Sequence, residues 1–154
     1  MITHLIDTNA LIALIGRKSE ILLKRVIDSD ERSIGLSTVV MHELYHGAYK
    51  STKTSYNLET LRLFVADFSV VGFEQEDALA AGEIRAALAA KGTPIGPYDV
   101  LIAAQAKARD LVLVTNNVGV FRRVDGLLVE DWTVGREIPP PMKKCPGAAE
   151  TAPG

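Results

Sequence analysis

The stretch Ile2 to Asn9, ITHLIDTN, decides the fold. Ile2, Leu5 and Ile6 supply the apolar part of a short strand, and Asp7 ends it. From Asn9 to Ile15 (NALIALI) the apolar spacing changes to that of a helix. A buried strand that runs straight into a helix opens a βα unit. In an open α/β sheet, ligands bind beyond the carboxyl ends of the strands, so an acid at the end of the first strand is a candidate site residue. Asp is also a favoured N-cap, and capping alone would explain Asp7 equally well.

The same alternation continues outward from this unit. Glu20 to Ser29 is predicted helical, Arg32 to Leu36 a strand, and Val39 to Tyr49 a helix capped by Ser37 or Thr38, with Glu43 in its second turn. Tyr56 to Phe68 has helical spacing, Ser69 to Phe73 reads as a strand, and Glu76 to Lys91 is a long helix stopped by Gly92. The loop GTPIGPYD then leads into VLIAAQAKAR, where Pro97 suits the first turn and sets Asp99 near the helix start. Leu111 to Thr115 is a further buried strand with Asn116 and Asn117 just past it, Val118 to Phe121 a short helix, and Leu127 to Val129 an edge strand. Strands that alternate with helices predict an α/β fold with a central, mainly parallel sheet and helices on both faces.

The chain has 154 residues, 47% of them hydrophobic, which suffices for one core and one domain. That domain is expected over residues 1–134; residues 135–154, rich in Pro, Ala and Gly, are expected to form a flexible tail. A formal charge of -2 excludes a strongly basic nucleic-acid coat or a polybasic membrane anchor, so any nucleic-acid partner would be held by a local basic patch or by a metal. Cys145 is the single cysteine, which rules out an intramolecular disulfide framework. No signal peptide is evident, and the longest apolar run, Ala10 to Ile15, is too short to span a bilayer. The expected location is the cytoplasm.

Asp7, Glu43 and Asp99 would all face the carboxyl edge of such a sheet. Carboxylates about 5 Å apart repel by roughly 3 kcal/mol per pair at an effective dielectric near 20, so three that converge need a cation between them. A hard divalent ion with oxygen ligands, Mg²⁺ or Mn²⁺, is the natural occupant. Such a site suits phosphodiester hydrolysis, because bound metal lowers the pKa of water and neutralises charge building on the phosphate. The alternative on spacing alone is two helix caps and a solvated Glu43.

Taken together, DTN at Asp7 to Asn9, Glu43 behind Ser37-Thr38, IRAALAAKGTPIGPYDVLIAAQA from Ile84 to Ala106, VTNN at Val114 to Asn117 and the closing LLVEDW resemble the PIN-domain ribonucleases. The closest likeness is to VapC-type toxins of bacterial toxin-antitoxin pairs, and it covers about residues 2–133. The resemblance implies a single PIN-like domain and an Mg²⁺- or Mn²⁺-dependent endoribonuclease that cuts structured RNA, often tRNA or ribosomal RNA. It implies a homodimer held inactive by a VapB-like antitoxin that covers the acidic groove. It assigns Asp7, Glu43 and Asp99 to the metal and to catalysis, with Thr115 and Asn116 as polar residues at the end of the fourth strand; Asn9 is the remaining candidate beside them. Val120 departs from the pattern, since relatives usually carry a fourth acid at or near that position. The departure leaves one or two metals open and keeps a catalytically weakened RNA- or partner-binding module as an alternative.

A second motif competes for Glu43. His42 to His46, HELYH, matches the zinc-protease pattern H-E-x-x-H, with Glu74 or Glu83 as conceivable third ligands. That reading leaves Asp7 and Asp99 idle. Arg17, Lys18, Lys24, Arg25, Lys50, Lys53, Arg122 and Arg123 are candidates for flanking an RNA path, and Tyr45, Tyr49 and Tyr98 for stacking on bases. Each has a plainer reading as solvated face or core edge.

Overall fold

A computed structural model describes residues 1–134; the expected tail at 135–154, with Cys145, lies outside the described residues. Five strands form one all-parallel sheet: β1 (His4–Ile6), β2 (Ile34–Ser37), β3 (Ser69–Val71), β4 (Val112–Val114) and β5 (Val129–Glu130). Seven helices connect them: α1 (Thr8–Ile15), α2 (Glu20–Asp28), α3 (Thr38–Lys50), α4 (Thr54–Val65), α5 (Gln75–Lys91), α6 (Pro97–Ala108) and α7 (Val118–Phe121). The strand order is β3-β2-β1-β4-β5. The chain winds outward from β1 on one side and then restarts on its other side, so with right-handed crossovers the two sets of helices cover opposite faces. Between β1 and β4 lies the switch point, where open α/β sheets bind ligands.

The core follows from the periodicity. All of β2 is buried, as befits an inner strand, and Ala10, Leu11 and Leu14 form the inward stripe of α1. In α6 every residue from Ile102 to Ala106 is buried, and its three alanines there let neighbouring elements approach closely. Gly35 serves the same purpose inside β2, because a Cβ there would stand 2.9 Å from Val71 Cγ2 and 3.0 Å from Ile2 Cγ2. Gly35→Ala is expected to cost about 1–3 kcal/mol by overpacking, read as a lower urea midpoint at unchanged m-value.

Several boundaries differ from the periodicity reading, each for a local reason. Asp30 draws Arg32 and Ser33 into a 3-10 turn (Arg32 N to Asp30 Oδ1, 3.0 Å; Ser33 N to Asp30 O, 2.8 Å), so β2 starts at Ile34 rather than Arg32. β3 stops at Val71 because the Gly72 carbonyl accepts from Gln105 Nε2 and Arg109 Nη2, both at 3.1 Å. β5 begins at Val129, since Leu127 is still held in a turn by the Val124 carbonyl. α4 runs from Thr54 to Val65, and Asp67 and Phe68 close back on it in a turn.

Two polar features are built into the core. The hydroxyl of Ser37, N-cap of α3, donates to Gln105 Oε1 on α6, while Gln105 Nε2 donates to the Val71 and Gly72 carbonyls. Asp77, fully buried, accepts from Arg109 Nη2 at 2.6 Å and from the Glu74 backbone N–H at 2.7 Å. At the other side of the sheet, Trp132 Nε1 donates to Glu130 at 2.8 Å, and Arg25 lies 4.6 Å over the indole. The adjacent His4, the indole N–H and Arg25 hold the Glu130 carboxyl down at about 2. This cluster fixes the end of the domain to β1 and α2.

Candidate functional site

Asp7 leaves β1 at the switch point. Its N–H donates to the Val114 carbonyl of β4 at 2.8 Å, which continues the β1–β4 register by one residue. It occupies the N-cap position of α1, yet its side chain caps no backbone group further along the helix. Instead Oδ2 accepts from the Thr115 hydroxyl at 2.8 Å. Thr115 Oγ1 in turn accepts from Asn117 N at 2.9 Å, so the hydroxyl proton is directed at Asp7. Helix capping therefore does not account for this acid, which is 2% exposed.

Glu43 reaches the same edge from the second turn of α3 and is half-buried. Its Oε1 accepts from the Thr8 hydroxyl at 2.6 Å, which ties α3 to the first residue of α1. Asp99 stands in the first turn of α6, behind Pro97, where the helix dipole favours an anion. Gly96 makes room for it: a Cβ there would lie 3.2 Å from Asp99 Oδ2.

The electrostatics connect the three. Burial pushes the Asp7 carboxyl up to about 6; the Thr115 hydroxyl and Thr8 amide work against this, and the charges of Asp99 and Glu43 add to the rise. Asp99 is raised by its own burial and by Glu43. Asp7 and Asp99 both feel Glu43, and the three acids, each on a different helix or at its start, form an anionic edge; among the described residues none of them is ion-paired with a cationic side chain. Among the described residues, no three His, Cys, Asp or Glu groups stand near enough to one another to hold an ion in the side-chain positions seen. Mutual repulsion, with Glu43 drawn to Thr8, favours such a spread arrangement. The donor chemistry, three carboxylates without sulfur, is that of a hard oxygen-seeking cation.

The other sequence candidates separate. Thr115 is buried against Asp7, whereas Asn9 and Asn116 are exposed, and the acids' hydrogen bonds run to threonines. His42 packs its ring edgewise against Tyr98, with centroids 4.8 Å apart, and His46 is exposed one turn beyond Glu43. Val120 is half-buried on α7. Of the basic residues, Lys24 pairs with Asp28 at 3.2 Å, Arg25 serves the Trp132 cluster, and Arg123 donates to the Pro94 carbonyl at 3.0 Å. Arg17, Lys18, Lys50, Lys53 and Arg122 are exposed. Tyr45 packs on the core, and Tyr49 and Tyr98 are exposed.

Sequence reasoning missed Thr8 and Gln105. Thr8 lay inside the DTN motif. Gln105 was signalled by being the one uncharged polar residue in the apolar run VLIAAQA, and it links the helices that carry Glu43 and Asp99 through Ser37.

A PIN domain family model matches residues 4–127. The chain is 39% identical over 132 residues to a tRNA(fMet)-specific endonuclease VapC of Salmonella typhimurium, a match covering 86% of this chain and 99% of that protein. It is 33% identical to the ribonuclease VapC2 of Haemophilus influenzae, again over 86% and 99%. Among solved structures, a DNA-bound VapBC complex from Salmonella typhimurium superposes with a TM-score of 0.82 at 39% identity, over 86% of this chain and 99% of the matched one. With the doubly wound sheet, the acids at its switch point and these matches in hand, the chain belongs to the PIN domain family.

Proposed function

We propose that this chain is the endoribonuclease toxin of a type II toxin-antitoxin pair, hydrolysing phosphodiester bonds in structured RNA, with tRNA as the substrate class. The observation that carries the reading is that Asp7, Glu43 and Asp99 face one edge of the sheet, with Asp7 at the β1/β4 switch point, where burial, together with the charges of the other two acids, raises Asp7 to about 6. Its relatives are named as ribonucleases, one of them specific for tRNA(fMet). Among the described residues no helix is long and apolar enough to cross a membrane, and action in the cytoplasm is part of the same proposal.

Asp7, Glu43 and Asp99 would hold Mg²⁺ or Mn²⁺. When bound, such an ion supplies a water of lowered pKa and neutralises charge on the scissile phosphate. The chain's own residues set the ligands: Thr115 holds one oxygen of Asp7, Thr8 orients Glu43, and the first turn of α6 favours ionised Asp99. Val120 places an apolar side chain where relatives usually carry another acid, which favours a single ion.

A VapB-like antitoxin is the proposed partner. An open groove of about 310 Å³, lined by Ile12, Ile15, Leu44 and Leu61, runs up to Glu43 and suits the apolar face of such a partner. The resemblance also supports a homodimer. The zinc-protease reading has less behind it, because it leaves Asp7 and Asp99 without a role.

The test is cleavage of folded tRNA by the purified protein in Mg²⁺ or Mn²⁺, beside Asp99→Asn, which keeps shape and removes charge. Activity that EDTA abolishes and the variant lacks is expected. Equal cleavage by both proteins would place the chemistry elsewhere. RNA binding by both, without cleavage by either, would favour the weakened binding module.

A further inference from the structure

His42 and Tyr98 have no part in the acid site as described, yet each directly precedes one of its acids. His42 lies before Glu43 on α3, and Tyr98 before Asp99 on α6. The two helices pack together, so the rings meet across their junction with centroids 4.8 Å apart and planes at 66°. Both residues are exposed, Tyr98 at 45%, although aromatic rings generally gain by burial. An edge-to-face pair covers at most one of its four ring faces, and it fixes both side chains before any ligand arrives. The result is a rigid aromatic surface at the rim of an anionic edge.

We infer that the His42–Tyr98 pair is a stacking platform for one unpaired nucleobase next to the scissile phosphate. The inference rests on the ribonuclease reading and narrows the substrate: the cut bond flanks a base that is free to leave its helix, as in a loop. The chemistry favours a base over other occupants. An aromatic face accepts any nucleobase by stacking, without phosphate contacts. The acids beside it repel the RNA backbone until a cation is present, so a neutral contact is the kind that can position a nucleotide there.

The experiment uses the full chain with a synthetic RNA stem-loop, intact or with single abasic positions around the cut. Tyr98→Ala and His42→Ala are expected to raise KM about tenfold with kcat within about twofold, and Tyr98→Phe to behave as wild type. An abasic site at the stacked position should raise the wild-type KM similarly and have little further effect in Tyr98→Ala. Unchanged KM in both alanine variants, with wild type still cutting, overturns the platform and leaves the nuclease intact. If wild type does not cut, binding is read by quenching of 2-aminopurine placed in the loop. Quenching lost in Tyr98→Ala and kept in Tyr98→Phe supports the platform, and equal quenching in all three removes it. Thermal unfolding of the variants within about 2 °C of wild type excludes a folding defect.

Discussion

Asp7→Asn is expected to lower RNA cleavage by roughly a hundredfold to a thousandfold or more, while making the metal-free protein more stable at neutral pH. Both effects come from one carboxylate. The folded chain binds the Asp7 proton more tightly than the unfolded chain, because burial lifts its carboxyl from 3.8 to about 6. The native state therefore carries no penalty from this group below pH 3.8; the penalty grows as pH rises to about 6 and is complete above that. At about 1.4 kcal/mol per pH unit it amounts to roughly 2–3 kcal/mol at pH 7. The neutral amide escapes it and keeps an oxygen to accept from Thr115. Urea unfolding in EDTA should accordingly show the variant more stable than wild type at pH 7, with the difference shrinking toward pH 4. Saturating Mg²⁺ should raise wild-type stability and leave the variant nearly unchanged. A variant less stable than wild type at pH 7 without metal would mean that Asp7 is held by contacts worth more than its desolvation.

Arg109→Met is expected to destabilise the fold by about 3–5 kcal/mol, or roughly 10 °C in Tm, without touching the acids. Its guanidinium is the cationic partner of Asp77, which is fully buried at the start of α5, and it also satisfies the Gly72 carbonyl that ends β3. Truncation leaves the buried Asp77 carboxylate without its cation, while the Gly72 carbonyl keeps only its bond from Gln105. Arg109→Met combined with Asp77→Leu removes both charges and should recover most of the loss, short of the lost bond to the Glu74 N–H. A double variant as unstable as the single one would show that packing of the arginine stem, rather than the charge, carries the effect. The pair also orders the turn that precedes α5, so the single variant should show faster amide exchange from Gly72 to Asp77.

The fold and the site were not equally legible. Alternating strand and helix periods gave the α/β class, and short-range chemistry located most helix starts: Ser37 as a cap, Pro97 in a first turn, Gly92 at φ 71 as a stop. Strand ends were read less well, because they depend on which side chain claims a carbonyl, as Gln105 and Arg109 do at Gly72. The three acids could be named as candidates because each sits at a predictable place in a local element, and motif order made the family recognisable.

What surrounds those acids is another matter. Thr115 lies 108 residues from Asp7, Glu43 lies 35 from Thr8, and Gln105 lies 68 from Ser37. Residues 1–134 by themselves determined where the strands and helices form, which face of each is apolar, and which acids stand at their ends. Only the tertiary structure decided that β4 lies beside β1, that Thr115 therefore meets Asp7, and that His42 meets Tyr98 across two helices. The physical reason is that periodicity records how much of each element is to be buried, whereas the partner that buries it is chosen by long-range packing and strand order, which leave no local trace.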